Sequence, residues 1–162
     1  MITNIFRWVY LLFLIVLALV VGGACYQTVS INPYWLNDVA MFRNYQWGIG
    51  YFPILSPLMT MLWLALLIMG FKIKLPNKKV LYTAHLFFLL IIISTFSWFA
   101  PFLLTYMGHP ENSISNCELI PMIATWSKWD RIRQATGLVP LALFIYYYGK
   151  FQVTGSNVSS IL

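Results

Sequence analysis

Charge is what this chain has least of. Only 9% of its 162 residues are charged, and only four are acidic. A soluble domain carries about a quarter charged residues, so a water-facing surface cannot be built from this inventory. Cysteine and histidine are equally scarce, with two of each. Cys25 belongs to no Cys-x-x-Cys pair, which argues against thiol-disulfide redox chemistry. His85 and His109 fall at opposite ends of the apolar pattern, so they cannot share a metal or bracket one haem. With four acids and no paired ligand spacing, neither a metal site nor a cofactor is expected. Internal repeats, low-complexity tracts, glycine-rich phosphate loops, nucleotide fingerprints and a Ser-His-Asp set are all missing as well.

What is present is apolar length. The chain is 60% hydrophobic, with a mean hydropathy of +0.77. No charge occurs between Arg7 and Asp38, Arg43 and Lys72, Lys79 and Glu111, or Arg133 and Lys150. Crossing a hydrocarbon core takes roughly 20 helical residues, and each gap holds an apolar run. The pattern predicts an all-α membrane protein, a single domain over 1–162. Its four transmembrane helices cover roughly 8–25, 52–71, 80–102 and 122–150, with an extended outer loop after the first. Arg7 and the following run also resemble a signal peptide ending at Ala24. The run is long for a signal, which favours a retained span.

The net charge of +6 comes from basic residues in short connections beside apolar runs. That is a topology signal, not a nucleic-acid surface. Four lysines between Lys72 and Lys79 place that turn in the cytoplasm. Both termini then lie in the cytoplasm and the connections 25–50 and 103–125 face outward, in a cell or inner membrane. Asn32-Pro33 reads as a turn, with a short interfacial helix over 36–45. Pro101 marks the end of the third span. Gly22-Gly23 would let a neighbouring helix approach closely. The fourth span is awkward, because 16 uncharged residues separate Arg133 from Lys150, about 24 Å of helix. Its helix should begin earlier, near Pro121, and the tail from Phe151 should fray.

Trp126, Asp130, Arg133 and Gly137 recur at steps of four, three and four, so they share one helix face. Asp130 and Arg133 can form an ion pair, and ionisable groups at membrane depth are functional candidates. The bland alternative puts both above the headgroups, with Arg133 snorkelling. Tyr26, Gln27, Trp98, Trp126 and Trp129, with Tyr106 and Glu118 near the span ends, are candidates to line a pocket between the outer helix ends. A mostly apolar pocket with few polar groups suits a hydrophobic small molecule. Cys25 and Cys117 both fall on the outer side, where a disulfide or two free thiols are the alternatives. His85 reads as a helix–helix hydrogen-bonding residue and His109 as a solvated loop residue.

Short motifs across nearly the whole chain add a resemblance. Gly23-Ala24-Cys25-Tyr26-Gln27 closes the first span and Pro33-Tyr34-Trp35 follows. Thr95-Phe96-Ser97-Trp98-Phe99-Ala100-Pro101 closes the third, and Trp129-Asp130-Arg131-Ile132-Arg133 opens the fourth. In order and spacing the chain resembles small four-span membrane proteins of largely unknown function related to fungal anthrone oxygenases. It departs from them at Gln27, where relatives often carry an acid, and at Asp130, where they carry Asn or His. The resemblance implies a four-helix membrane bundle and, in a minority of relatives, cofactor-free oxygenation of an anthrone to a quinone. That chemistry needs a base to form a carbanion that meets dioxygen directly. Here Asp130 would be the base and Arg133 the anion stabiliser.

The functional expectation is therefore a lipid-embedded protein with an outer pocket for a hydrophobic small molecule, oxygenase-like in one version. The alternatives are a non-catalytic subunit or scaffold, packed on a membrane-protein partner or a second copy, and a lipid or quinone-type carrier.

Overall fold

The computed structural model of the chain describes residues 2–44, 52–73, 75, 77–107 and 114–159. Every element among these residues is helical. Helix α1 (Ile2–Tyr26) leads into a π-helical turn, π1 (Gln27–Ile31), then α2 (Asn32–Asn37) and α3 (Val39–Arg43). Helix α4 (Phe52–Lys72) is followed by α5 (Lys78–Ser94), a second π-helical turn, π2 (Thr95–Phe99), and α6 (Ala100–Tyr106). Helix α7 (Asn116–Ser159) runs for 44 residues.

Both π turns have the same local cause. Each lies just ahead of a proline, Pro33 and Pro101, in the first turn of the following helix. A proline inside a helix removes one donor and presses its ring against the carbonyl four residues back. Widening the turn relieves that clash, so Asn32 N–H donates to the Gln27 carbonyl and Ala100 N–H to that of Thr95. The helices therefore pass their prolines instead of ending there. This corrects two sequence expectations: the first apolar helix continues to Asn37 and the third to Tyr106. The supposed outer loop is helical through most of its described length.

Among the described residues, three helices are long and apolar enough to cross a membrane, Thr3–Asn37, Ile54–Lys72 and Lys78–Tyr106. They are compatible with a multi-pass integral membrane protein. Their outward faces are apolar too, with Leu12, Ile15 and Leu19 on α1 and Leu86, Leu90 and Ile93 on α5 all exposed. Helix α7 is long but less apolar, because Lys128, Asp130, Arg131 and Arg133 interrupt it. It begins at Asn116, earlier than 122, and stays helical to Ser159, where a frayed tail was expected.

Helix α7 packs along α5 and α1, and α4 packs on α1. Two apolar clusters hold these contacts. One interlocks Phe6, Tyr10 and Phe13 with Trp63, Phe88 and Phe144. The other gathers Trp35, Phe42, Phe99, Leu103, Ile123 and Trp126. Between apolar helices in lipid, association comes from packing and hydrogen bonds instead of water exclusion. Edge-to-face rings supply much of it here, as at Phe13–Phe144 with centroids 5.0 Å apart and Phe99–Trp126 at 5.9 Å. Gly22, expected to admit a neighbouring helix, has open space where a Cβ would lie.

Candidate functional site

The two π turns converge on one ion pair, π1 on the Asp130 carboxylate and π2 on the Arg133 guanidinium. Asp130, on α7, is 2% exposed. Its Oδ2 accepts from Thr28 Oγ1 of π1 at 2.7 Å and from Asn32 Nδ2 of α2 at 3.2 Å. Its Oδ1 accepts from Arg133 Nη2 at 2.6 Å, Arg133 Nε at 3.2 Å and Gln134 Nε2 at 3.2 Å. Five donors on one carboxylate satisfy its lone pairs, which is what keeps a buried charge tolerable.

Arg133 carries the network across to the third helix. Its Nη1 donates to Thr95 Oγ1 of π2 at 2.8 Å, and the Thr95 hydroxyl in turn donates a hydrogen bond to the Ile91 carbonyl at 2.7 Å. The guanidinium carbon sits 4.3 Å from the Phe99 ring centroid, a cation–π contact strengthened by desolvation. Trp126, one turn above Asp130, donates its indole N–H to the Phe99 carbonyl at 3.3 Å. One ion pair thus ties π1, π2 and α7 together. Of the five guanidinium donors, three are engaged and two have no partner among the described residues.

Beside this network lies a cavity of about 770 Å³. Trp126, Asp130, Arg133, Gln134, Gly137 and Pro140 form its α7 wall, and Gln27 and Thr95 add polar groups from π1 and π2. Ser56 and Thr60 add two hydroxyls from α4, and the rest is apolar, with Leu17, Val20 and Val21 from α1 and Phe88, Ile91 and Ile92 from α5. Met61 on α4 and Phe96 and Leu104 on the facing π2–α6 segment also line it, yet are 69%, 66% and 66% exposed. The mouth therefore opens sideways, between α4 and π2–α6. The Gly137 position leaves the wall clear: a Cβ there would meet nothing closer than Ile91 Cδ1, at 4.0 Å.

The face predicted from spacing, Trp126, Asp130, Arg133 and Gly137, lies along this wall. Gln27 lines the cavity as well. Tyr26 is 65% exposed and lies outside the lining. Trp98 and Trp129 also lie outside it, packed edge to face on the exposed surface with centroids 6.5 Å apart. Tyr106 packs against the cluster of Trp35 and Trp126. Glu118 caps α7: it accepts from Ser115 N–H and Oγ while its own N–H donates to Ser115 Oγ, a reciprocal capping box. Those Ser115 bonds hold the Glu118 carboxyl below its usual range.

Cys25 and Cys117 are free thiols, so the disulfide alternative is not formed. His85 is buried against Trp63 and Phe144, and neither ring nitrogen is hydrogen-bonded among the described residues. The expected helix–helix hydrogen bond is thus replaced by ring packing. His109 lies outside the described residues, as do Lys74 and Pro76 of the basic turn. No three of His, Cys, Asp and Glu come together among the described residues. Thr28, Asn32, Thr95 and Gln134 are the site residues that sequence reasoning missed. The signal for Thr28 and Asn32 is their spacing of four, which aligns them only if the first helix continues.

Compared with protein-family models, with curated proteins and with solved structures, the chain matches none of them.

Proposed function

We propose that the protein is a four-span membrane protein whose outer-half cavity binds a hydrophobic small molecule taken directly from the lipid phase. The observation that carries this reading is the sideways mouth between α4 and π2–α6, backed by the Asp130–Arg133 pair on the opposite wall. A ligand using that mouth never passes through water, so affinity for lipid-phase molecules follows from geometry. An apolar lining with a few convergent polar groups is the usual composition of a small-molecule site.

A common length supports counting α7 as the fourth span. Arg7 to Gln27, Lys72 to Phe52, Lys79 to Phe99 and Lys150 to Asp130 are each separated by 20 positions. That is about 30 Å of helix, the thickness of a hydrocarbon core. Arg7 stacks on Phe151 at 5.4 Å, which levels the inner ends of α1 and α7. The Asp130–Arg133 pair then sits at the outer edge of the core, with exposed Lys128 and Arg131 reaching the headgroups and Trp98–Trp129 at the interface.

A binding role is better supported than catalysis by Asp130. A general base needs an available lone pair facing the substrate, and this carboxylate already holds five donors and an ion-pair partner. The oxygenase-like version would require that network to open.

Gly137→Leu tests the binding role, because its side chain fills the cavity from a wall position without touching the ion pair. Wild type and variant would be purified in the same lipid nanodiscs and examined by native mass spectrometry. Wild type should retain a bound amphiphile that the variant loses. Identical spectra, with no species beyond bulk lipid in either, would sink the proposal.

A further inference from the structure

We propose, building on that reading, that the occupant is a single amphiphile of the outer leaflet, bound head outward, and that its head group is uncharged. Depth along the helices gives the orientation. Leu17 lies ten positions from both Arg7 and Gln27, and Pro140 ten from both Lys150 and Asp130. The apolar end of the cavity therefore reaches the bilayer midplane, while Gln27, Asp130 and Arg133 mark the outer edge. A molecule lying along the cavity has the same polarity profile as a lipid of that leaflet. It can slide in through the side mouth without turning over.

Charge gives the head group. Asp130 and Arg133 neutralise each other at 2.6 Å, and the other polar groups of the lining, Gln27, Ser56, Thr60, Thr95 and Gln134, are neutral. An anionic head would leave the site with a net negative charge and a cationic head with a net positive one, whether or not the pair is displaced. Either buries a charge without a full partner, which is strongly destabilising. An uncharged hydroxyl or carbonyl costs nothing of the kind. The two remaining Arg133 N–H donors and the Gln134 amide oxygen offer it one donor site and one acceptor site. The volume of about 770 Å³ falls within the roughly 300–1,000 Å³ of single-ligand pockets.

The test uses the full chain in nanodiscs and three alkyl probes of equal length, each carrying a photoactivatable diazirine. One is an alcohol, one a sulfonate and one a trimethylammonium, so the charged heads cannot neutralise themselves. Each is made with the diazirine either near the head or at the chain end, and labelled residues are mapped by mass spectrometry. The alcohol should label saturably, near the head at the level of Thr95 and Gln134, and from the chain end at the level of Leu17 and Phe88. Both charged probes should need at least roughly tenfold more probe for half-saturation, a lower bound for burying an uncompensated charge beside a partly exposed ion pair. A charged probe that half-saturates with the alcohol overturns the uncharged head while leaving the site standing. A reversed order of labelled positions overturns the orientation. If no probe labels the cavity saturably, the underlying binding role fails with it.

Discussion

Asp130 Oδ1 receives two hydrogen bonds from the same guanidinium, Arg133 Nη2 at 2.6 Å and Nε at 3.2 Å, three positions along one helix. The pair is local in sequence, but what fixes it is not. Thr28 and Asn32 grip the other carboxylate oxygen from the first helix, and Thr95 grips the guanidinium from the third. The ion pair acts as a clamp between two proline-induced π turns.

Breaking the clamp on one side should cost more than removing it. Asp130→Asn leaves a part-buried arginine without its counter-charge and should destabilise the protein by about 3 kcal/mol, with Arg133→Gln similar. The double variant should fall short of the sum by about 2 kcal/mol. Reversible unfolding in bicelles measures all three. Strict additivity would mean the two side chains act independently.

The bonds reaching in from other helices should each be separately measurable. Thr28→Val keeps the side-chain shape but removes a donor to a charged acceptor, which should cost about 2 kcal/mol. Thr95→Val should cost about 1 kcal/mol. The same unfolding assay applies. Wild-type stability in both would show that the π turns are held by their prolines alone.

How far the site could be read in advance follows from these distances. The Asp130–Arg133 pair and the Trp126–Gly137 face were legible because they obey helical spacing within one segment. Thr28, Asn32 and Thr95 were not, since they lie 102, 98 and 38 positions from the groups they bind. Reading Pro33 and Pro101 as terminators also hid two helices that run past them. A proline six residues beyond the start of a widened turn, in both places, is the local pattern that marks the continuation. The all-helical class and its long apolar helices were legible from composition and the spacing of charges alone. The cavity was not, because it depends on α4 packing against α1 and leaving a gap towards π2–α6. Tyr26, Trp98 and Trp129 were misplaced because aromatic residues at a span end suit the lipid interface as well as a pocket.

Gly137→Ala should leave the cavity usable and strengthen α7. The new methyl meets only Ile91 Cδ1, at ordinary contact distance, and alanine is favoured over glycine within a helix by about 1 kcal/mol. A raised thermal midpoint is the expected outcome. A lowered one would indicate that α7 needs the glycine for a bend or a close approach.

Orientation can be read from the two thiols. Cys117 is exposed near the start of α7 and Cys25 is half-buried at the end of α1. In intact cells a membrane-impermeant maleimide should label Cys117 readily and Cys25 slowly, without added reductant. Labelling of Cys117 only after permeabilisation would invert the topology, and labelling only after reduction would show a disulfide.

The most direct check on lipid-phase binding is at Leu17. It lines the cavity but is only 2% exposed, so bulk lipid does not reach its methyls. Leu64, 45% exposed on α4, serves as the bilayer-facing control. Proton-detected solid-state NMR in bilayers should show cross-peaks from alkyl-chain protons to the methyls of both residues. In Gly137→Leu the Leu17 cross-peaks should vanish while those of Leu64 persist. Leu17 cross-peaks to water alone, or no chain cross-peaks at Leu17 in wild type, would contradict a cavity occupied from the membrane.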